Sequence, residues 1–470
     1  MSNEFKRSLG TLDATMIVAG SMIGSGIFIV SADIARQVEH PLLLLLVWAI
    51  TGVLTLIAAT SYGELAGMMP QAGGQYVYLR EAFGPLAGFL YGWTLFTVIQ
   101  TGTIAAVAMA FAKFTAVLIP SVGEDRLLFA MEWGNGKVFT ISAAQLVAIA
   151  SIIGLTLLNT FGVRIGKVVQ NVFTSTKVLA VVALAIGGLL LGTEFINNIS
   201  KPLPSLSFSL LLPMIAAAMV GAIFSSDAWN NITFVAGEVK DPSRTIPRGL
   251  AFGVLLVTVL YLATNVAYLN VLPIGDAAVA GVNGNSIMHA AKDRVGTAAA
   301  QGLLGESGAI AMAVLIMIST FGCNNGLILA GARAYWAMAQ DKLFFKGAAL
   351  LNKHGVPSRG LWIQAVWACA LCLSGSYGQL LDYVVFAVLI FYVLAILGIF
   401  RMRVSRPDAP RPIKAFGYPI VPGFYVIAAM GICGVLLYAK PDYTWPGLII
   451  VACGIPVYGV WKAYNSKKTT

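Results

Sequence analysis

Charged residues are scarce in this sequence. Only 11% of its 470 residues are Asp, Glu, Lys or Arg, whereas 58% are hydrophobic and the mean hydropathy is +0.83. A soluble domain carries about 25% charged residues, so this many apolar side chains cannot all be buried in soluble cores. The composition excludes a soluble enzyme and a disordered chain, and it predicts that most of the chain faces lipid.

Histidine and cysteine are also rare, which argues against metal, redox and disulfide chemistry. The three histidines lie far apart in sequence, and neither an H-E-x-x-H motif nor a pair of intramembrane aspartates occurs. We therefore expect no enzyme activity, no metal and no cofactor. Cys369 and Cys372 form a C-x-x-C without a second pair or a nearby His, so packing is the favoured interpretation. The other cysteines, also in or beside apolar runs, are Cys323, Cys433 and Cys453.

Apolar runs of membrane length occupy most of the chain. A spanning helix needs about 20 mostly apolar residues, and the longest stretch without such a run extends only from Pro273 to about Gly305. We expect an all-α membrane protein without a separate soluble domain. Its twelve transmembrane helices are predicted at approximately 11–37, 41–69, 86–120, 139–160, 166–192, 210–236, 246–272, 304–337, 361–377, 380–401, 416–438 and 444–462.

The distribution of Lys and Arg predicts the orientation. If the spans alternate between the two sides, these residues are roughly three times as frequent on the side that holds the N-terminus, which is the bias of cytoplasmic loops. We expect a multi-pass protein of the cell membrane with both termini in the cytoplasm. The same bias accounts for the net charge of +10, so no nucleic-acid partner is expected.

Small residues interrupt the first predicted span. Gly24, Ser25 and Gly26 lie at its middle, and a glycine inside a helix costs about 1 kcal/mol relative to alanine. A break in the helix is the favoured interpretation. The alternative is a packing face, because Gly20 and Gly24 have the spacing of small residues at helix contacts.

Polar residues interrupt the sixth predicted span. Its centre runs FSSDAWNN from Phe224 to Asn231 and includes the carboxylate of Asp227, which costs a few kcal/mol near the bilayer centre. Free backbone groups are tolerated at that depth only where they line a cavity. Interruptions five spans apart, in matching positions of two halves, are typical of an inverted-repeat transporter with a binding site at the midplane.

Two lysines lie within predicted spans. Lys177 is about eleven residues from the cytoplasmic start of the fifth span, or about 16 Å along a helix. A buried ammonium needs acceptors, so Lys177 could replace a bound cation or carry a proton; the alternative is a side chain that reaches the interface. Lys113 lies near the outer end of the third span, where such snorkelling is the favoured interpretation.

Several motifs follow one another at membrane spacing. They are Met22-Ile23-Gly24-Ser25-Gly26-Ile27-Phe28, Tyr62-Gly63-Glu64-Leu65, Pro70-Gln71-Ala72-Gly73-Gly74, Val169-Gln170-Asn171-Val172-Phe173 with Lys177, Trp229-Asn230, Glu238-Val239-Lys240-Asp241-Pro242 and Ser319-Thr320-Phe321-Gly322 with Arg333. Over nearly its whole length the chain thereby resembles the amino acid–polyamine–organocation (APC) superfamily of transporters. Within it, the chain looks most like the L-type amino acid transporter branch and its bacterial relatives.

The resemblance implies a five-plus-five inverted-repeat fold, which is shared with sodium-coupled amino acid symporters. Residues 1–200 would form the first repeat and residues 201–402 the second. Residues 403–470 would add two transmembrane helices and a cytoplasmic tail.

The resemblance also implies a substrate site at the two breaks. Backbone amides of the Gly-Ser-Gly stretch would bind the substrate carboxylate, in line with the affinity of free N–H groups and helix N-termini for anions. Carbonyls at both breaks would accept from the substrate ammonium, and an aromatic gate, Phe224, would cover it unless that ring is ordinary bundle packing. The residues implied are Met22, Ile23, Gly24, Ser25, Gly26, Phe224, Ser225, Ser226 and Asp227.

The resemblance also implies how transport is coupled to an ion. Lys177 matches a lysine whose ammonium takes the place of a sodium ion in related symporters, beside Ser319 and Thr320. The expected function is sodium-independent transport of amino acids, above all neutral L-amino acids, by exchange or proton symport. A passive channel would not need paired breaks shaped for a zwitterion.

Three departures from the family pattern bear on substrate and partner. Ser226 stands where a tyrosine is common, and Ala228 replaces a glycine. Asp227 could bind the ammonium of a cationic amino acid or a polyamine, or it could cap the lower half of the sixth helix. The outer loop at 121–137 lacks the cysteine that ties animal members to a partner glycoprotein, so no covalent partner is expected.

Overall fold

The computed structural model describes residues 7–133, 137–161, 163–205, 207–275, 286–374 and 377–466. Within these ranges the chain is mostly helical, as predicted. Both chain ends, on which the predicted orientation depends, and part of the long outer stretch after Pro273 lie outside them. The helices are α1 Thr11–Met22, α2 Val30–Val38, α3 Pro41–Met68, α4 Gln75–Phe83, α5 Pro85–Thr94, α6 Gln100–Leu118, α7 Ala143–Thr160, α8 Val163–Leu191, α9 Phe195–Ile199, α10 Phe208–Ser225, α11 Asn231–Phe234, α12 Pro242–Val271, α13 Val295–Gln340, α14 Ser358–Ser374, α15 Tyr377–Ser405, α16 Ile420–Ala439 and α17 Pro441–Ser466.

Nine helical stretches in the described part of the chain are long and apolar enough to cross a membrane. They coincide with nine of the twelve predicted spans. Two of the remaining three, the first and the sixth, are divided into shorter pieces, and the third, α14, is only 17 residues long. The chain is therefore an integral membrane protein.

Both predicted breaks are present in the helices. α1 ends at Met22, a short 3-10 turn covers Gly26–Phe28, and α2 begins at Val30. α10 ends at Ser225 and α11 begins at Asn231. The interpretation of Gly24 as part of a continuous packing face is therefore wrong.

Helices that lie five spans apart in sequence pack against each other. α3 contacts α12, α6 contacts α13 and α7 contacts α14. The two broken helices also make contacts between the two predicted repeats. α1 contacts α12 of the second predicted repeat, and α10 contacts α3 of the first. The arrangement places the two breaks side by side in the centre of the bundle.

Two local features depart from the predicted succession of helices and loops. The loop after α6 contains an antiparallel hairpin of β1 (Leu127–Trp133) and β2 (Lys137–Ser142), in which Met131 lies opposite Phe139. α13 is bent at Gly305, where φ is +66°, a conformation that favours glycine. This bend coincides with the predicted start of the eighth span at 304.

The N-terminal segment is tied to the chain that follows α11. The backbone N–H groups of Ser8 and Leu9 donate to the carbonyl of Glu238 at 2.8 and 3.1 Å, and Lys240 N–H donates to the Leu9 carbonyl at 2.8 Å. The Glu238 carboxylate accepts from the Arg333 guanidinium of α13 at 3.3 Å, and Arg333 is only 2% exposed. These bonds join the segments that precede α1 and follow α11 to each other and to α13.

Candidate functional site

The first break leaves backbone groups without helical partners. The last α-helical hydrogen bond of α1 runs from Ile23 N–H to the Ala19 carbonyl. The next backbone hydrogen bond along the chain is donated by Phe28 N–H to the Ser25 carbonyl. Between them, the N–H groups of Gly24 and Gly26 have no backbone acceptor in the described part of the chain. Such groups at a helix terminus attract anions.

The second break is an abrupt end of α10. Ser226 N–H still donates to the Ala222 carbonyl at 3.0 Å, and then the chain turns away at Ala228, where φ is +64°. This left-handed conformation suits glycine and is strained for alanine. The position at which the resemblance implies a glycine is therefore one whose backbone favours it.

The two breaks touch each other. A Cβ placed on Gly26 would lie 2.0 Å from Ser225 Oγ and 2.9 Å from Ser225 Cα. A residue with any side chain therefore cannot occupy position 26 unless α10 moves. The absence of a side chain at Gly26 sets the distance between the two broken helices.

Tyr261 of α12 connects the two breaks. Its hydroxyl lies 3.0 Å from the Met22 carbonyl and 3.0 Å from the Ser225 carbonyl, and the side chain is 2% exposed. The sequence analysis missed this residue. A tyrosine in the middle of the apolar seventh span is the signal that could have found it, because a buried hydroxyl needs a partner.

α13 also contacts the first break. Ser319 Oγ lies 3.3 Å from the Gly24 carbonyl and 3.4 Å from the Ile23 carbonyl. Cys323, interpreted from sequence as a packing residue, directs its thiol to the Ser21 carbonyl at 3.2 Å. Thr320 is equally buried, but its hydroxyl donates to its own helix, at the carbonyl of Ile316.

Lys177 lies against the same break. Its side chain has no exposure to solvent, and its ammonium donates to the carbonyl of Gly20 at the end of α1. The alternative in which this side chain reaches the membrane interface is therefore wrong. The amino group of Lys177 therefore lies beside the opened peptide groups.

The Asp227 carboxylate points toward α15. Its Oδ1 accepts a hydrogen bond of 2.5 Å from the Tyr392 hydroxyl, and the Tyr392 ring lies among those of Tyr62 and Trp229, at 5.9 and 4.9 Å between centroids. The N-cap position of α11 is occupied by Asn230. The prediction that Asp227 caps this helix is therefore wrong.

The remaining predicted residues lie in the same region. Phe224 is 7% exposed at the last turn of α10. Ser226 and Asp227 line a cavity of about 390 Å³, its open mouth included, which also contacts Tyr392. Within the described ranges, no group of three or more His, Cys, Asp or Glu side chains could hold a metal ion.

We expect Tyr261→Phe to slow transport by about 2–10-fold. The change removes one hydroxyl and leaves the Met22 and Ser225 carbonyls with one donor fewer, and a hydrogen bond of this kind contributes about 0.5–1.5 kcal/mol. Initial rates of uptake into proteoliposomes measure the effect. Tyr438→Phe is the matched control, because Tyr438 is 90% exposed; equal rates for both variants would contradict a role of Tyr261 at the breaks.

Comparison with known proteins agrees with this geometry. The amino acid permease family matches residues 9–460. The serine/threonine exchanger of Bacillus subtilis (strain 168) is 27% identical over 472 residues, which are 99% of this chain and 98% of that protein. The b(0,+)-type amino acid transporter 1 of Mus musculus is 27% identical over 88% of this chain and 79% of its own length. Large neutral amino acids transporter small subunit 2 of Mus musculus is 28% identical over 98% of this chain and 82% of its own length. With two broken helices, a buried lysine against the first of them and a family match over nearly its full length, the chain belongs to the amino acid permease family of the APC superfamily.

Proposed function

We propose that this protein is a sodium-independent secondary transporter of neutral L-amino acids that works by alternating access, as an exchanger or a proton symporter. One observation carries the proposal. The ammonium of Lys177 is bonded to the Gly20 carbonyl, directly beside the peptide groups that the first break leaves free. The amino acid transporters to which the chain is similar support the substrate class.

The substrate would lie between the two breaks. Its carboxylate would bind the amides of Gly24 and Gly26, where the charge is stabilised without a counter-ion. Its ammonium would bind carbonyls at the end of α10 and those of Met22 and Ile23, since each carbonyl oxygen can accept two hydrogen bonds. Phe224 would close over the bound molecule.

Lys177 would make a sodium ion unnecessary. A cation at this position offsets the partial negative charge at the C-terminal end of α1. Ser319, whose hydroxyl meets the carbonyls of Ile23 and Gly24, and the neighbouring Thr320 would complete the surroundings of that charge. Proton transfer from Lys177 would allow proton symport, and a permanent charge would allow exchange.

The fold would be a five-plus-five inverted repeat of twelve spans, with residues 1–200 and 201–402 as the repeats and residues 403–470 as an addition. The contacts of α3 with α12, α6 with α13 and α7 with α14 support it, because helices related by a central pseudo-twofold axis meet each other at that axis. Both termini would be cytoplasmic, in accordance with the Lys and Arg bias. The outer loop at 121–137 contains no Cys, so the protein would act without a covalently attached partner.

Transport of cationic amino acids or polyamines is the second candidate. The observation that favours it is the buried Asp227 carboxylate, which lines the cavity of about 390 Å³. A carboxylate can accept about four hydrogen bonds, so its bonds to the Tyr392 hydroxyl and the Ala228 backbone leave acceptor capacity for a ligand ammonium.

The test is uptake into proteoliposomes that contain the purified protein. We expect accumulation of labelled L-serine or L-leucine to proceed equally with sodium and with choline outside, and to be stimulated by unlabelled amino acid or by a proton gradient. A strict requirement for sodium would refute the proposed coupling. Preferential uptake of arginine or putrescine, lost in Asp227→Asn, would establish the second candidate instead.

A further inference from the structure

A second cavity lies between the breaks and the end of the molecule that carries the β-hairpin. It encloses about 940 Å³, its open mouth included. Ile29 and Val30 line it from one broken helix, and Val220 and Gly221 line it from the other. These residues lie about one helical turn from the breaks, so the cavity leads toward the proposed substrate site.

The path between this cavity and the breaks is closed in the present conformation. A Cβ on Gly221 would lie 2.9 Å from the Val30 Cβ, which is closer than side chains pack. Below it, Gly26 and Ser225 are in contact as described above. The cavity is therefore a compartment of its own, and a molecule in it would not touch the peptide groups at the breaks.

Most charges that line this cavity are paired. The Arg36 guanidinium lies 2.7 Å from Asp293, and the Lys440 ammonium lies 2.8 Å from Asp382. Lys113 differs from both, because it has no ion pair or hydrogen bond with any residue that the structure describes, although it is only 9% exposed. A largely buried ammonium without an acceptor is costly, so this position favours an anionic ligand group.

An unpaired carboxylate lies on the same cavity. Glu124 lines it together with Lys113 and likewise forms no ion pair within the described ranges. The two opposite charges attract each other across the compartment without forming an ion pair, and a molecule that carries both charges is complementary to them. An α-amino acid carries its carboxylate and its ammonium on adjacent carbon atoms and satisfies both.

We propose that this cavity is an entrance site for a zwitterionic α-amino acid, with the ligand carboxylate at the Lys113 ammonium and the ligand ammonium at Glu124. The site holds the molecule before the contact of Gly221 with Val30 opens and admits it to the breaks. This inference rests on the proposed function, since the ligand of the entrance site is the transported amino acid.

The experiment measures equilibrium binding of radiolabelled L-serine and L-leucine, in separate assays, to the purified full-length protein in detergent. Lys177→Met weakens the central site, so that binding to the entrance site can be followed with less contribution from the breaks. We expect this variant to keep one weak, saturable site per molecule. Adding Lys113→Met in the same chain should abolish that binding, whereas adding Lys201→Met, which removes an exposed lysine that lines another cavity, should not change it.

Competing ligands define the chemistry of the site. We expect unlabelled amino acid to displace the label at least tenfold more effectively than propionate or ethylamine, which carry one charge each, and chloride to have no effect. In Lys113→Met alone, the KM of uptake should rise about 3–10-fold at an unchanged maximal rate.

Failure of this inference is distinct from failure of the proposed function. A protein that transports amino acids, but whose Lys177→Met variant binds none or binds equally after Lys113→Met, would overturn the entrance site alone. Displacement by chloride or propionate as effectively as by the amino acid would identify a simple anion site and would also overturn it. A wild-type protein without uptake of any amino acid would refute the function itself.

Discussion

Replacing Lys177 by Met is expected to reduce amino acid uptake by about 5–150-fold, with or without sodium. Met fills a similar volume but has no donor, so the buried Gly20 carbonyl loses the ammonium that it accepts from. An unsatisfied buried group of this kind costs about 1–3 kcal/mol, and such a free energy corresponds to about a 5–150-fold change in an equilibrium. Because Gly20 belongs to the last turn of α1, the substitution destabilises the conformation of the first break.

Two variants show whether the charge itself matters. Thr176→Val is the matched control on the same helix, because the Thr176 hydroxyl donates only to the Val172 carbonyl at 2.9 Å on an exposed face; its uptake should equal that of the wild type. Lys177→Arg keeps the charge in a larger group, and partial activity is expected. Thermal unfolding of all three proteins separates a loss of transport from a loss of fold. Normal sodium-free uptake by a folded Lys177→Met would remove this residue from the mechanism.

Gly26→Ala is expected to reduce uptake by a similar factor for a different reason. The new Cβ would meet the Ser225 side chain at 2.0 Å and the Ser225 Cα, which is backbone, at 2.9 Å. Overpacking of a well-packed contact costs about 1–3 kcal/mol, and here it opposes only the conformation in which the two breaks touch. The backbone N–H at position 26 is kept, so binding of substrate should persist while its translocation fails.

The control for this prediction is Gly154→Ala in α7. A Cβ on Gly154 would meet no atom within 4 Å, so the exchange should leave uptake unchanged and stabilise the helix by up to about 1 kcal/mol. Combining Gly26→Ala with Ser225→Gly removes the shorter contacts and should restore part of the activity. Full uptake by Gly26→Ala alone would contradict this prediction, because it would show that transport does not need the close contact between Gly26 and Ser225.

Local chemistry made the helix breaks predictable from sequence. Glycine and polar residues at the middle of a span are unfavourable in a continuous helix, and this holds whatever surrounds them. The depth of Lys177 along its span similarly predicted a buried charge. The positions of the spans followed from the length of the apolar runs, although α14, with 17 residues, is shorter than the span that its apolar run predicted.

The directions in which individual side chains point, and the residues that they contact, were not predictable from the sequence. Asp227 was expected either to meet a ligand or to cap a helix, whereas its carboxylate meets Tyr392, which is 165 positions away in sequence. Tyr261 joins the breaks only because α12 packs beside α1. The hairpin of β1 and β2 was missed because its strands are far shorter than the runs by which a membrane chain is divided.

The bonds between the N-terminal segment and the chain after α11 restrict how the molecule can change shape. Leu9 shares backbone hydrogen bonds with Glu238 and Lys240, and the Glu238 carboxylate is held by the buried Arg333. Tilting α1 away from the segment after α11 would break these three backbone hydrogen bonds, and moving that segment away from α13 would break the buried pair of Glu238 and Arg333. We therefore expect α1 and the segment after α11 to move as one body when the protein opens on the N-terminal side, so that a substrate bound at either broken helix would act on both.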